Sequence, residues 1–213
     1  METLEAIRSR RSIRAFHAQP VPRELVMQLL EVSRWAPSAS NRQRWRVTVV
    51  DGPAAAALGA RLAERARAQF AGSADRGPGE AAPEGSRDLY AQFERVAAEL
   101  GITVRELVAV GSNALYGAPT VIVVSSPQGG ASDADALVTT LMLAAHAMGL
   151  GTCWLGYPLA HSDLIREMLD LPEGERPAAV VALGYPDEAA AVNRIRSRRM
   201  APDEFVRWAG EAE

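Results

Sequence analysis

Apolar and polar positions along the chain alternate with two periods, and each period marks a different element. Leu4 and Ile7 stand three apart in a short helical segment from Thr3 to Arg10. The stretch "PVPRELVMQLLEVSRWAPSAS" opens with Pro22 in the first turn, carries the stripe Leu25, Leu29 and Val32, and stops at Pro37. Trp45 to Val50 is β-branched and reads as a buried strand ended by Asp51-Gly52. An alanine- and arginine-rich helix follows from about Pro53 to Phe70, then "AGSADRGPGEAAPEGS" reads as an exposed loop. Helical spacing resumes near Leu89–Leu100 and Val104–Leu115.

Pro119 to Ser126 is the second strong strand. "ASDADALVTTLMLAAHAMGLG" is a helix with Asp133 near its start and Gly149 and Gly151 at its end. It is apolar around most of its circumference, which predicts a central helix and makes His146 a core or interface histidine. "TCWLGYP" reads as a third strand turning at Pro158, "SDLIREMLDL" as an amphipathic helix capped by Ser162, and "AAVVALGYP" as a fourth strand. An irregular basic tail and a short helix from Pro202 close the chain. Few strands, several helices and long connections imply an α+β or α/β layer, with the strand pairing left open.

The 213 residues carry 48% hydrophobic and 23% charged positions, enough for one sizeable core in a single domain over 1–213. A net charge of −3 gives no global field to attract nucleic acid or an anionic membrane, so any anion site is local. Cys153 is the only cysteine, which excludes an internal disulfide and thiolate clusters and reads as a buried, reduced thiol. The N-terminus lacks an apolar signal region, and the longest apolar stretch, Ala134 to Leu150, is too short and polar to span a bilayer. A cytoplasmic protein is the expectation.

Four features could carry chemistry. "RSRRSIR" (residues 8–14) concentrates four arginines and two serines, and "NRIRSRRM" (residues 193–200) holds four more arginines near the other end. Either alone fits a solvated patch; together they could grip a phosphomonoester, since guanidinium meets phosphate oxygens in a planar fork. "APSASNRQRW" (residues 36–45) presents hydrogen-bonding groups after a helix stop, and "GLGTCWLGYP" sets glycines beside an apolar strand end. No dinucleotide fingerprint, P-loop, metal-ligand spacing or catalytic triad is present. With no strong acid, base or nucleophile, a cofactor is the expected bearer of the chemistry.

In this order the features resemble the FMN-dependent nitroreductase family. Arg10-Arg11-Ser12-Ile13-Arg14-Ala15-Phe16 matches its opening R-R-S-x-R-x-F, and Ser33 to Trp45 matches A-R-W-A-P-S-x-x-N-x-Q-P-W. "LMLAAHAMGLGTCWLG", "ALGYP" and the arginine tail follow, so the likeness covers roughly residues 4–50 and 115–207. It implies an α+β, domain-exchanged homodimer with a central, mainly antiparallel sheet flanked by helices and two FMN sites at the subunit interface. Arg10, Arg11, Ser12 and Arg14 resemble flavin ligands, the arginines at the phosphate and Arg14 also within reach of the N1/O2 edge. Pro37, Ser38 and Ser40 resemble the loop the partner subunit lends, with Asn41 and Gln43 in the same motif. Trp154, Leu155 and Gly156 match the segment beside the ring, where a backbone N–H donates to N5. Arg199 aligns with the C-terminal phosphate arginine, and Arg198 is a second candidate.

The family implies NADH or NADPH as co-substrate, a small-molecule acceptor such as a nitroaromatic or quinone, and a ping-pong cycle. A dehalogenase, dehydrogenase or flavin-fragmenting enzyme of the same fold, or a flavin-binding module without turnover, would carry the same motifs. Two departures stand out. Arg44 replaces the usual proline, and residues about 70–110, which tend to cover the substrate pocket in this family, match nothing.

Overall fold

The computed structural model describes residues 1–72, 84–127 and 131–210. Its frame is a four-stranded antiparallel sheet in the order β1-β2-β4-β3, made of β1 (Arg46–Asp51), β2 (Thr120–Pro127), β3 (Gly151–Leu155) and β4 (Glu175–Gly184). The antiparallel pairing settles the α+β reading that periodicity left open. Helices α1 (Thr3–Ser9), α2 (Arg23–Ser33), α3 (Gly52–Phe70), α4 (Glu84–Leu100), α5 (Gly111–Asn113), α6 (Ala131–Ala147), α7 (Ser162–Met168) and α8 (Pro202–Phe205) surround it.

The two central strands are apolar throughout because both faces of the sheet are covered. Alternate residues supply two cores. Ile122, Val124, Val181 and Leu183 pack under α2 and α6, while Val121, Val123, Val180 and Ala182 pack against α3 and α7. A third cluster joins α4 to the tail through Phe93, Val96, Val192 and Ile195. Among the described residues no helix is long and apolar enough to cross a membrane.

Several sequence readings need correction. β1 is an edge strand, so only Val50 is buried, and Val49 on the opposite face is 38% exposed. Helix α2 turns Val26, Leu29 and Ser33 into the core and leaves Val32 exposed, because the helix sits about one residue round from the expected stripe. Leu4 and Ile7 are exposed; small Ala6 is the residue α1 buries. Ser162 is the first residue of α7 and caps nothing, since a 3-10 turn (Tyr157–His161) runs directly into the helix. α4 begins at Glu84, inside the expected loop, and residues 73–83 of that loop lie outside the described residues. Near residue 104 the chain forms a π-helical stretch, Glu106–Val110, and α5 ends before Leu115, whose φ of 57° is incompatible with a right-handed helix.

Candidate functional site

The arginine cluster is held against the free edge of β3. The chain leaves α1 at Arg10 in an extended conformation, and Ser12 bridges Thr152 in parallel while Ile13 N donates to Thr152 O at 2.9 Å. Phe16 then bridges Pro186, and His17 N donates to Tyr185 O at 2.9 Å. This approach is close enough that a Cβ on Gly151 would stand 2.9 Å from Ile13. Gly151 is therefore a packing requirement.

Asn193 ties the cluster to the C-terminal tail. Its side chain, 1% exposed, accepts from Arg14 N at 2.7 Å and donates to Ala15 O and Asp187 O, both at 2.8 Å. Its carbonyl accepts from Arg11 Nη1 at 2.6 Å and Arg196 Nη1 at 2.8 Å. Sequence reasoning passed over Asn193, because attention within "NRIRSRRM" fell on the arginines. An amide with two donors and two acceptor sites, opening such a run, was the available signal.

The result is a recess of about 150 Å³ with Arg10, Arg11, Ser12 and Arg14 on one wall and Ser197 and Arg199 on the other. Leu89 and Ile195 complete it, and among the described residues no carboxylate lines it. Arg11 pairs with Glu188 outside the recess, whereas the Arg10 guanidinium has no hydrogen-bond partner among the described residues. Burial, then the Arg199 guanidinium facing it, lower Arg10 below the ordinary arginine pKa, with Cys153 opposing. Two like charges held together in a partly desolvated recess favour an anion. Arg199 is steadied by Ser197, at 2.5 Å from its hydroxyl, while Arg198 lies outside the recess and pairs with Glu204 at 2.7 Å.

The loop after Pro37 is built elsewhere, at the start of α6. Asp133, 4% exposed, accepts from Ala39 N at 3.0 Å and from Arg44 N at 3.4 Å. The second bond needs a backbone N–H, which a proline at position 44 would lack. Gln43 N donates to Ser38 Oγ at 3.1 Å, and Gln43 Nε2 to Asn41 Oδ1 at 2.9 Å. Ser40, Asn41 and Gln43 all have positive φ (52°, 54° and 48°) and are exposed. Such conformations cost roughly 1–3 kcal/mol each for ordinary residues, less for Asn. Residues Pro37 to Gln43 do not line the arginine recess: Asp133 and His146, near the two ends of α6, are separated by about 20 Å along the helix axis.

β3 contributes Trp154, 37% exposed, and Leu155, whose side chain is in the core so that only its backbone is offered outward. Gly156 is exposed beyond it. Cys153 is buried, and burial pushes its thiol up against the opposing effects of Arg14, Ser12 and Arg10, which makes it a poor nucleophile. His146 is half-buried rather than core. Ser9 Oγ stands 2.7 Å from Glu5 O, to which it can donate, and 2.7 Å from His146 Nε2.

Helix α4, in the stretch with no readable motif, covers the arginines. The Arg14 guanidinium lies over the Phe93 ring at 5.1 Å, and Tyr90 meets Phe93 edge-on at 6.2 Å. Gln92 grips both N and O of Arg196, at 2.9 and 2.7 Å, and Glu99 pairs with Arg194. Among the described residues no cluster of His, Cys, Asp or Glu could hold a metal.

Comparison with known proteins supports the fold. The model of the nitroreductase family matches residues 7–185. The nitroreductase NfnB of Mycolicibacterium smegmatis is 32% identical over 213 residues, covering 95% of this chain and 90% of its own. A chloronitrobenzene nitroreductase of Comamonas testosteroni is 29% identical over 232 residues, covering 97% and 96%. The crystal structure of FMN-dependent NfnB from Mycobacterium smegmatis in complex with NADPH superposes with a TM-score of 0.79 at 31% identity, over 97% of each chain.

Proposed function

The chain belongs to the nitroreductase family, and on that premise we propose that it is an FMN-dependent NAD(P)H oxidoreductase that reduces nitroaromatic, quinone or similar small acceptors. One observation carries the reading: Arg10 and Arg199, from opposite ends of the sequence, converge on a recess that no carboxylate lines among the described residues. A phosphomonoester fits this charge and donor set, with Arg10, Arg199, Arg11 and Ser12 as its ligands, whereas Arg198, paired with Glu204 outside the recess, is left out of the set. Arg14, at the inner wall, is assigned to the pyrimidine edge of the flavin, and the backbone of Trp154, Leu155 and Gly156 to its N5 side.

FMN, when bound, supplies the two-electron chemistry between nicotinamide and acceptor. The protein's part is to bind, orient and tune. A fixed guanidinium at Arg14 stabilises negative charge on the ring, and more so in a partly dry site than in water. Nicotinamide and acceptor are expected to alternate at one open face, which gives ping-pong kinetics. A reaction drawing on NAD(P)H also suits the reducing cytoplasm.

The site is completed by a second copy. Pro37, Ser38, Ser40, Asn41 and Gln43 sit too far along α6 to reach the recess of their own chain, so in this reading they serve the flavin of the other subunit. The unpaired edge of β1, exposed Leu4, Ile7 and Trp35, and a tail ending in Phe205, Val206 and a 90% exposed Trp208 supply apolar surface for that exchange. The deciding experiment is an absorbance spectrum of FMN-loaded protein under nitrogen before and after NADH or NADPH. Bleaching by either, with recovery on adding a nitroaromatic or quinone, supports the proposal. Stoichiometric FMN that neither nucleotide bleaches sinks it in favour of a flavin carrier.

A further inference from the structure

Residues Ile195 to Met200 bring Arg199 to the recess, yet they belong to no helix or strand. Among the described residues, none of them shares a hydrogen bond with other main chain. Nothing in its own backbone keeps such a segment in place, and Arg199 faces a second guanidinium, Arg10, which repels it.

Gln92 on α4 supplies the missing grip. Its Oε1 accepts from Arg196 N at 2.9 Å, and its Nε2 donates to Arg196 O at 2.7 Å. A neighbouring antiparallel strand would exchange the same pair of bonds with one residue. The other Nε2 proton goes to Asp88 Oδ2 at 3.0 Å, one turn back along the helix. Both donors of the amide and its acceptor are therefore engaged, which sets its orientation. Among the described residues, no other side chain from outside the tail hydrogen-bonds the main chain of 195–200.

The clasp adjoins the recess on both segments. Leu89, in the turn before Gln92, lines the recess, and Phe93, next to Gln92, lies under the Arg14 guanidinium. In the tail, Ile195 packs in one cluster with Phe93 and Val96. Ser197, on the other side of Arg196, lines the recess and holds Arg199 Nη1 at 2.5 Å from its hydroxyl. Arg196 turns its own guanidinium back to Asn193 O at 2.8 Å and Ile195 O at 3.1 Å. The pinned peptide is thus one residue from the serine that steadies Arg199.

We infer that Gln92 is a positioning residue, whose amide pins the main chain at Arg196 and so sets Arg199 for the phosphate end of the flavin; this rests on the FMN reading above. Gln92→Met keeps the length of the side chain and removes the amide. In equilibrium dialysis of the full chain, FMN affinity falls about tenfold, the order of one to two net hydrogen bonds. Riboflavin, which lacks the phosphate, binds wild type and variant alike. In an Arg199→Ala background the same substitution weakens FMN less than about threefold, since no guanidinium is left to place.

Equal weakening of FMN and riboflavin assigns Gln92 to the docking of α4 and overturns the inference, as does an unchanged FMN affinity. A tenfold loss that persists beside Arg199→Ala overturns it too, because Gln92 then acts elsewhere. The FMN reading fails by a different result. A wild type that binds FMN no more tightly than riboflavin, or an Arg199→Ala variant that binds FMN as the wild type does, refutes the phosphate assignment and this inference with it. These titrations use neither nucleotide nor acceptor, so they leave the proposed reduction to its own test.

Discussion

Replacing Asn193 tests whether one buried amide holds the two ends of the chain together. Asn193→Ala deprives Arg14 N–H, Ala15 O and Asp187 O of their partners in a site 1% exposed. At about 1 kcal/mol net per hydrogen bond the loss is about 3 kcal/mol, and up to twice that if no water enters. For a chain of this length that lowers the melting temperature by about 6–12 °C. Asn193→Asp is the sharper probe. It keeps the acceptor for Arg14 N, but turns the donor that served two carbonyls into an oxygen facing them. Folding then raises the new carboxyl above its unfolded pKa of about 3.9. Between the unfolded and folded values the native state binds more protons, so stability falls as pH rises and stays low above the folded pKa. Below about pH 4 the protonated acid donates again and the variant comes closest to the wild type. Paired thermal melts from pH 4 to 8 read this directly. A variant within about 0.5 kcal/mol of the wild type across that range would refute the assignment of the amide as a structural tie.

Arg10→Ala and Arg199→Ala, each removing a charged donor from the recess, are expected to weaken FMN about 10–100-fold while the fold is retained; equilibrium dialysis measures it, and unchanged retention returns the cluster to the surface. Gly151→Ala forces a Cβ against the Ile13 Cγ atoms and should cost about 1–3 kcal/mol in denaturant melts, with that clash relieved by Ile13→Ala, which removes both Cγ atoms; a neutral result means the segment can step away from β3. Burial, then Arg10 and Arg11, lower the His146 pKa, so the folded state binds fewer protons and stability is lost as pH falls through about 6.5. His146→Gln keeps a hydrogen-bonding group for Ser9 Oγ and should flatten that slope in part, since His161 is lowered as well, by burial and then Arg65; identical slopes would contradict the shift.

Periodicity read the frame well where one physical cause dominated. The runs Pro119–Ser126 and Ala178–Pro186 are apolar because helices cover both sheet faces, and the strands stand there as β2 and β4. The same reasoning misplaced Trp45–Val50, since a β-branched run looks alike at the centre and at the edge of a sheet. It also set Leu4, Ile7 and Val32 on apolar helix stripes, and all three stand exposed in the single chain. At the candidate site the motifs named the charged residues, and the structure brings Arg10, Arg11, Ser12 and Arg14 to Arg199. The residue that holds them was invisible for a reason of chemistry: Asn193 acts on backbone partners far away in sequence, as Asp133 does for the loop after Pro37.

Helix α4 meets the rest of the protein through side chains and the tail, with no strand of its own in the sheet. Its sequence can therefore drift without unpicking the frame, as long as an aromatic ring stays beneath Arg14. The limits on that drift are local: Leu89 lines the arginine recess, Phe93 carries Arg14 and Gln92 holds the backbone of Arg196, so three positions of one helix tie a variable segment to an otherwise fixed charge cluster.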